Sequence, residues 1–449
     1  MVKDKTFYKK LLLLTLPLIV QEIINFCVQM LDTVMVGMLG DEAISAVTLA
    51  SQPYFIYNTL IFGITSGGAV IISQYYGKKD MERIRRTVSL MTVMVLLVSL
   101  TYLFLCRSIP DLIMSVFSED ASLIENGRGY LSTVALSYVL TGLSGCFAAT
   151  LNAKGNTRVS AFANTVSFFV NMIANYAFIF GKLGAPSLGI VGAAIGTIVA
   201  RSVQLLINGY YFIFREKEIA FRLQDLLHPD MSLFPGYLKV VLPVMGDDFV
   251  WSLYASAQLA VIGHLSTSYV ASASIANVAQ QFTLIFIYAI ARAAGIVVGQ
   301  SVGEGDREHT LKVGRTFLVL SLFFGIFASL TMLGVKEPVL LLYPNVSMEG
   351  KLLAKQIMNV LAVIMILAGA EATLIVGVLR GAGDLRFSFR VDTACMWLIA
   401  IPMGCLAAFV WKLPVVWVYL CLRSDIFLKI IICIIRVLRG RYIRDLTVQ

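Results

Sequence analysis

Long apolar stretches separated by short polar ones follow one another along nearly the whole of this 449-residue chain. A helix needs roughly 20 mainly apolar residues to cross the hydrocarbon core of a bilayer, and it satisfies its own backbone hydrogen bonds there. Each sufficiently long stretch therefore predicts a membrane-spanning helix. The twelve stretches lie near residues 11–38, 50–75, 88–108, 129–151, 160–181, 188–214, 237–264, 271–302, 313–334, 353–379, 389–411 and 413–435.

The composition also indicates a membrane protein. Hydrophobic residues make up 58% of the chain and charged residues 14%, whereas a soluble domain has about 25% charged residues. A compact soluble fold still needs a polar surface, so this composition favours an all-α integral membrane protein. The first apolar stretch lacks a small-residue cleavage site, and we expect it to be a retained helix and not a signal peptide.

The basic residues, which give the chain a net charge of +9, are distributed unevenly between alternate loops. If the N-terminus is cytoplasmic, most lysines and arginines, including Arg380 and Arg386, fall in the cytoplasmic segments. Membrane proteins concentrate these residues on the cytoplasmic side. We therefore expect a multi-pass protein of the inner (plasma) membrane with both termini cytoplasmic. The basic charge does not indicate a nucleic-acid partner.

The two halves of the chain resemble each other. At an offset of 226 residues Glu22 coincides with Asp248, and at an offset of 228 residues Gly155 coincides with Gly383. Each half holds six predicted spans, so both halves have the same orientation in the membrane. Duplication of this kind is typical of transporters whose binding site lies between the halves.

The repeat predicts twelve transmembrane helices in two pseudo-symmetric six-helix lobes. The lobes comprise residues 1–214 and 237–449, and a cytoplasmic linker, residues 215–236, joins them. Small residues inside the helices, such as Gly192 and Gly196, have the spacing that lets helices pack closely within a lobe.

An ionisable residue at bilayer depth is costly and therefore marks a candidate functional site. Asp32 lies well inside the first span, and its counterpart in the repeat is Gln258. Burial disfavours the charged form of a carboxylate, which suits a group that binds and releases H⁺. A carboxylate can equally give Na⁺ an oxygen ligand. The alternative is a structural carboxylate paired with a lysine or arginine, and Arg201 and Arg292 are expected to neutralise acids or to reach an interface.

The fifth span contains Asn171 and Asn175, whose spacing of four residues places both amides on one face of a helix. Together with a carboxylate and a hydroxyl group, these amides would form a site for a hard cation of the Na⁺ type. The alternative is that they form hydrogen bonds between helices, as such amides often do in membranes.

A second set of polar residues predicts a substrate cleft between the lobes. Glu22 and Asp248 occupy equivalent places in the two halves, and Glu371 in the tenth span is a further candidate. Their negative charge suits cationic substrates, and the aromatic residues Trp251 and Tyr254 could add cation–π contacts. The neighbouring Asp247 is expected to point away from Asp248, and Asp392 lies near the start of the eleventh span.

Other functional classes lack support in the sequence. The seven cysteines form no CxxC pair, which argues against a disulfide framework or a metal site. The sequence has no GxxxxGK[ST] motif for ATP binding. It also has no clustered metal motif or nucleophile–base pair, so we expect a protein that is not an enzyme and has no cofactor. A channel is disfavoured by the duplicated lobes.

Several segments together resemble a known family. They are Asp32-Thr-Val-Met-Val-Gly37, Gln74-Tyr-Tyr-Gly77, Asn171-Met-Ile-Ala-Asn175-Tyr-Ala-Phe-Ile-Phe-Gly181, Gly189-Ile-Val-Gly192-Ala-Ala-Ile-Gly-Thr197, Leu379-Arg-Gly-Ala-Gly383-Asp384 and Arg441-Tyr-Ile-Arg444-Asp-Leu-Thr447. The chain resembles bacterial multidrug and toxic compound extrusion (MATE) transporters over nearly its whole length. The resemblance implies antiport, in which small organic cations leave the cell while Na⁺ or H⁺ enters.

The resemblance also implies a site for the coupling cation, formed by Asp32, Asn171, Asn175 and Thr197. Some proton-coupled members have an aspartate at the position of Asn175, and this difference favours Na⁺. In the second lobe the correspondence is weaker. Asp248 lies about one turn from the usual acid, whose position Trp251 occupies, and Glu371 lies near the family's acid in helix 10.

The expected mechanism is alternating access of a cleft between the lobes, in a protein that acts as a monomer in the lipid bilayer. The main alternative is a flippase for a lipid-linked precursor. A flippase would favour a positively charged cavity and further spans, and the acids of the predicted cleft argue against it.

Overall fold

The computed structural model describes nearly the whole chain and places most of it in helices. No β-strand occurs in this described part. Residues 227 and 228 of the predicted linker lie outside it. The described residues are 2–118, 120–226, 229–265, 267–341, 343 and 348–448.

The chain divides into two compact units. The first unit is Val20–Val241, and the second unit is Met1–Ile19 together with Leu242–Gln449. The α-helices from the first half of the chain are α1 Lys5–Gly37, α2 Asp41–Ala50, α3 Gln52–Gly77, α4 Met81–Ser108, α5 Pro110–Ser115, α6 Ala121–Val134, α7 Leu136–Lys154, α8 Thr157–Phe180 and α9 Gly189–Tyr210.

The second half of the chain contains the remaining α-helices, several of which continue as short π-helical segments. The π-helical segments are Tyr211–Arg215 after α9, and Thr373–Leu379, Met396–Ala400 and Leu406–Val410 further along. The α-helices are α10 Phe234–Gly263, α11 Thr267–Gly303, α12 Arg307–Leu341, α13 Met348–Ala372, α14 Leu385–Cys395, α15 Ile401–Cys405, α16 Val415–Cys421 and α17 Asp425–Leu438.

All twelve predicted spans coincide with helices. Among the described residues, 9 helices are long and apolar enough to cross a membrane, and α6 and α7 form a tenth span bent by 41°. The other two predicted spans correspond to α10 and to the interrupted pair α16 and α17. These two are the spans that carry adjacent carboxylates or a lysine within an otherwise apolar segment.

Helix α1 begins in one unit and ends in the other. Its first turns present Leu11, Leu14 and Leu18 to the hydrophobic core of the second unit, whereas residues from Val20 onward belong to the first unit. Pro17 lies next to this change and removes a backbone hydrogen bond from the helix.

Helix α10 has the reverse arrangement. The hydroxyl of Tyr237, near its start, donates to the carbonyl of Ile64 at 2.8 Å within the first unit, and residues from Leu242 belong to the second unit. Pro243 lies at this change. The lobe boundaries drawn from the repeat stay a prediction, and the structure adds that the contacts of α1 and α10 change near their prolines.

Glycines let α8 and α9 approach each other closely. A Cβ on Gly192 would lie 2.3 Å from the carbonyl oxygen of Phe178. A Cβ on Gly196 would lie 2.0 Å from Oδ1 of Asn175. The packing role predicted for these two glycines is confirmed. Their lack of a side chain brings α9 against the polar face of α8, where the candidate site lies.

In the second unit, α12 and α13 meet backbone to backbone. A Cβ on Gly369 would lie 2.6 Å from Cα of Gly325, so neither position can accept a larger residue without moving a helix. This contact fixes the end of α13, which carries Glu371 two residues further on.

Candidate cation-binding site and buried ion pairs

In the first unit, α1 and α8 bring a carboxylate against two amides. The side-chain nitrogen of Asn175 donates to Oδ1 of Asp32 at 2.7 Å and to Oδ1 of Asn171 at 3.2 Å. Asn171 is 3% exposed and Asn175 is fully buried. The shared face predicted from the spacing of four residues is confirmed. The role of these three residues as cation ligands stays a prediction.

One oxygen of this cluster is buried without a hydrogen bond. Oδ1 of Asn175 has no hydrogen-bond partner among the described residues, and Gly196 lies directly beside it. A buried amide oxygen without a donor is costly, and a cation or a water molecule next to it would remove that cost. The residues present therefore fit a ligand that offers positive charge.

Thr197 lines the same place from α9. Its hydroxyl donates to the carbonyl of Ala193, one turn earlier, at 3.0 Å. Since that bond uses the only proton of the hydroxyl group, the oxygen remains an acceptor. Together with Asp32, Asn171 and Asn175, it gives a set of carboxylate, amide and hydroxyl oxygens.

A small cavity of about 30 Å³ is lined by Asp32, Asn171 and Thr197. That volume accommodates a water molecule or a cation of similar size, whereas drug-sized ligands occupy pockets of roughly 300–1,000 Å³. An organic substrate therefore needs a different place from the one that Asp32 lines. The cavity is lined by Ile24, Asn25, Val28, Asp32, Asn164, Ser167, Asn171, Thr197, Ala200, Arg201 and Gln204.

Arg201 contributes a positive charge to this cavity. Its guanidinium donates to Oε1 of Gln204 at 2.8 Å, and the amide of Gln204 donates to Asn164 at 2.6 Å. Asp32 accepts a hydrogen bond from the amide of Asn175, and the positive charge of Arg201 also interacts with its carboxylate. The cation-binding role and the structural alternative, in which a basic residue neutralises Asp32, both stay predictions. The sequence predicts that Arg201 neutralises an acid or reaches an interface, and the structure places it in the cavity that Asp32 lines.

In the second unit, the adjacent acids of α10 share one partner. Nη2 of Arg380 lies 2.6 Å from Oδ2 of Asp247 and 3.0 Å from Oδ1 of Asp248. The expectation that the two carboxylates point apart is wrong, because a single nitrogen atom of Arg380 contacts both of them. Arg380, which the charge pattern had assigned to the cytoplasmic side, is only 6% exposed.

Glu371 also belongs to an ion pair. Its Oε1 lies 2.9 Å from Nζ of Lys429, a lysine whose side chain is 1% exposed. The sequence showed Lys429 within an apolar span without indicating a partner. The spacing of four residues between Asp425 and Lys429 is the signal that was available.

The remaining residues of the predicted cleft have varied surroundings. Glu22 is partly buried in the first unit, and Trp251 is 44% exposed. Tyr254 was expected to contact substrate, but it is 1% exposed and its hydroxyl lies 2.9 Å from Oδ1 of Asp425. The cation–π role proposed for Tyr254 is therefore wrong, because its ring is enclosed within the second unit. The cleft roles of Glu22, Asp248, Trp251 and Glu371 stay predictions.

Apolar helices of membrane-spanning length, with carboxylates, amides and cations buried among them, define a multi-pass membrane protein with the architecture of a transporter. The MatE family model matches residues 17–177 and 243–406. The chain therefore belongs to the MATE family of membrane transporters. The two matched segments begin at Pro17 and Pro243, which the 226-residue offset aligns, and they confirm the internal repeat.

Bacterial relatives cover almost the whole chain. The probable multidrug resistance protein NorM of Thermotoga maritima is 24% identical over 440 residues, which is 97% of this chain and 93% of that protein. The probable multidrug resistance protein NorM of Bacillus cereus is 25% identical over 413 residues, which is 89% of this chain and 88% of that protein.

Solved structures share the fold. An outward-facing multidrug resistance MATE transporter of the MOP superfamily superposes with a TM-score of 0.87 at 17% identity, covering 96% of each chain. A MOP superfamily transporter from Pyrococcus furiosus, described as having a binding pocket of reverse polarity, gives a TM-score of 0.85 at 17% identity. It covers 96% of this chain and 95% of that one. The all-α, twelve-helix fold class is confirmed.

Proposed function

We propose that this protein is a secondary active multidrug exporter of a bacterial plasma membrane. It moves small organic cations out of the cell by alternating access, in exchange for Na⁺ or H⁺ entering. Both termini are cytoplasmic, and the protein acts as a monomer without a cofactor. The multidrug resistance proteins that resemble it over most of its length support this proposal.

One observation carries the proposal: Asp32, in a helix long and apolar enough to cross a membrane, lies beside two buried amides and a small polar cavity. An acid in this position is rarely retained without function, because of its desolvation cost. The oxygens around it suit a hard cation, which prefers carboxylate and carbonyl ligands. Since Asn175 supplies an amide and not a second acid, we favour Na⁺ over H⁺.

The cavity beside Asp32 is too small for an organic substrate, so the coupling cation and the substrate bind at different places. A ligand changes the balance between two conformations only through unequal affinity for them. Exchange therefore requires that the cation at Asp32 and the substrate stabilise different states. Asp248 and Glu371 contact Arg380 and Lys429, and we keep Glu22, Asp248, Trp251 and Glu371 as the residues proposed to line the substrate cleft.

The test uses purified protein in lipid vesicles loaded with a fluorescent organic cation. A Na⁺ gradient at equal pH and a pH gradient in Na⁺-free buffer are imposed separately. We expect transport under the Na⁺ gradient, and we expect Asp32→Asn to abolish it, because the amide cannot supply the negative charge that balances Na⁺. Transport driven only by the pH gradient would assign H⁺ as the coupling ion.

Asp111→Asn is the matched control, since Asp111 pairs with Arg128 where both side chains are more than half exposed. Its transport should equal that of the wild type. If folded wild-type protein transports no organic cation under either gradient, the exporter proposal fails. Movement of a labelled lipid-linked precursor by the same vesicles would then establish the flippase.

A further inference from the structure

A cluster of buried charge in the second unit surrounds the ammonium group of Lys429. Nζ lies 2.9 Å from Glu371 Oε1, 2.5 Å from Asp392 Oδ1 and 2.6 Å from Asp425 Oδ2. The three carboxylates come from α13, α14 and α17. Lys429 therefore joins three helices through one nitrogen atom.

The numbers of donors and acceptors match. A lysine ammonium has three N–H donors and no acceptor, and three carboxylates lie within ion-pair distance of it here. The side chain of Lys429 is 1% exposed and that of Asp425 is 2% exposed. Removing an ammonium ion from water costs several kcal/mol unless partners of this kind compensate for it. The three carboxylates thus form a site for a small cation, and the cation in that site is the ammonium group of Lys429.

Polar groups behind the cluster keep Asp425 in place. The hydroxyl of Tyr254 lies 2.9 Å from Oδ1 of Asp425 and 2.5 Å from the carbonyl oxygen of Leu422. The amide of Gln258 donates to the same carbonyl at 2.7 Å. Gln258 is the repeat counterpart of Asp32. Where the first unit has its acid, the second unit therefore has an amide that supports the neighbouring backbone.

The internal repeat relates the cluster to the candidate site of the first unit. The 228-residue offset that aligns Gly155 with Gly383 also aligns residues of the two sites. Both units therefore have a basic side chain at the same repeat position, and only the second unit surrounds it with acids. The aligned pairs are Arg201 with Lys429, Asn164 with Asp392 and Thr197 with Asp425.

We propose that Lys429 is a permanent internal cation. Its ammonium group occupies the cation site of the second unit, so that neither Na⁺ nor a substrate ammonium binds to Glu371, Asp392 and Asp425. Binding of the coupling ion is thereby confined to the first unit. That last consequence rests on the proposed function, whereas occupation of the site by Lys429 does not.

The proposal predicts a new cation requirement when the ammonium is removed. Lys429→Met keeps most of the side-chain volume but leaves three acids. Arg423 still interacts with Asp425 and Glu371, and Arg380 still interacts with Asp392. The site then has to take a cation from solution. The experiment measures the thermal unfolding midpoint of the full-length protein in detergent. It is done in the Asp32→Asn background, so that the first unit contributes no response.

We expect Na⁺ and methylammonium to raise the midpoint of Asp32→Asn/Lys429→Met by about 3 °C or more. Tetramethylammonium, which has the same charge but no N–H donor, should not raise it. Alkaline buffer prevents the carboxylates from taking up protons in place of the cation. The Asp32→Asn protein with Lys429 intact should respond to none of the three ions.

Lys312→Met is the matched control, because Lys312 pairs with Glu308 where both side chains are more than half exposed. It should create no ion dependence. If Lys429→Met does not fold, adding Asp425→Asn lowers the repulsion, and the same measurement is made on that protein. A site that gains no response to cations, or Asp32→Asn protein that responds while Lys429 is present, overturns the proposal. Because no transport is measured, failure of the exporter proposal leaves this test intact.

Discussion

The two units place buried charge in related positions but neutralise it differently. In the first unit, Asp32 accepts a hydrogen bond from an amide, and Arg201 donates to Gln204. In the second unit, Lys429 contacts three carboxylates and Arg380 contacts two. Under the proposed function, Asp32 in the first unit binds a cation from solution, whereas the acids of the second unit are already in contact with basic residues of the chain.

This difference indicates how a duplicated membrane protein can specialise its halves. A buried acid that is paired within the chain contributes to structure, because its charge is balanced in every state. An acid that accepts a hydrogen bond from an amide, as Asp32 does, changes its environment when an ion binds. We therefore propose a fixed role for the acids of the second unit, which form ion pairs, and a responsive role for Asp32, which accepts a hydrogen bond from an amide.

The largest effect is expected from breaking an ion pair of the second unit. Arg380→Met leaves the buried Asp247 and the partly exposed Asp248 without their cation, and removing one partner of a buried pair costs about 3–5 kcal/mol. We expect a large decrease in the thermal unfolding midpoint of the detergent-solubilised protein. Asp247→Asn in the same chain should restore part of the loss.

Arg201→Met is the comparison in the first unit. Its guanidinium donates to the neutral side chain of Gln204, and the loss of such a bond costs roughly 1–3 kcal/mol. If Arg201→Met destabilises the protein as much as Arg380→Met does, the contrast between the two units is wrong.

A smaller effect is expected from crowding the candidate site of the first unit. In Gly196→Ala the new methyl group would overlap Oδ1 of Asn175, and overpacking of this kind costs about 1–3 kcal/mol. We expect a clear decrease in the transport rate and only a small decrease in the thermal unfolding midpoint, because Asn175 has to move away from Asp32. Both quantities are measured on the same preparation.

Gly145→Ala serves as the control for this substitution. Gly145 lies within α7, and a Cβ there would meet no atom within 4 Å. Its transport and midpoint should remain close to the wild-type values. Unchanged transport in Gly196→Ala would show that the position of Asn175 does not matter for the site.

The smallest effect is expected at Thr197, and it distinguishes the two coupling ions. Thr197→Val removes one oxygen from the cavity while keeping the shape of the side chain. If Na⁺ is the ion, we expect its apparent affinity in vesicle transport to fall about 3- to 10-fold, equivalent to roughly 0.7–1.4 kcal/mol. Thr197→Ser retains the oxygen and should behave as the wild type. An unchanged ion dependence in Thr197→Val would favour H⁺, which needs only Asp32.

Most of the fold was predictable because a bilayer imposes a simple length rule on apolar helices. The rule located twelve spans, and the repeat grouped them into two halves. Neither the length rule nor the repeat revealed that α1 and α10 each contribute to both units. A helix that changes its packing partner partway along can be apolar throughout, so its sequence does not show the change. Pro17 and Pro243 mark these places in the sequence without specifying what the helix contacts on either side.

The candidate site was predictable in part. Asn171 and Asn175 were placed on one face by their spacing alone, and Asp32 was singled out by its depth. The partners of Asp248 and Glu371 were not predictable. Arg380 and Lys429 are more than 50 residues along the chain from the acids that they contact, and no local pattern joins them.

The sequence by itself determined that this is a duplicated helical membrane protein with acids in its spans, because the cost of placing polar groups in lipid is the same wherever the chain folds. Tertiary structure alone decided which of those acids is held by an amide and which is held by a basic residue. That choice depends on distances of a few ångströms between helices far apart in the chain, and at such distances the strength of a charge pair is set by geometry and burial.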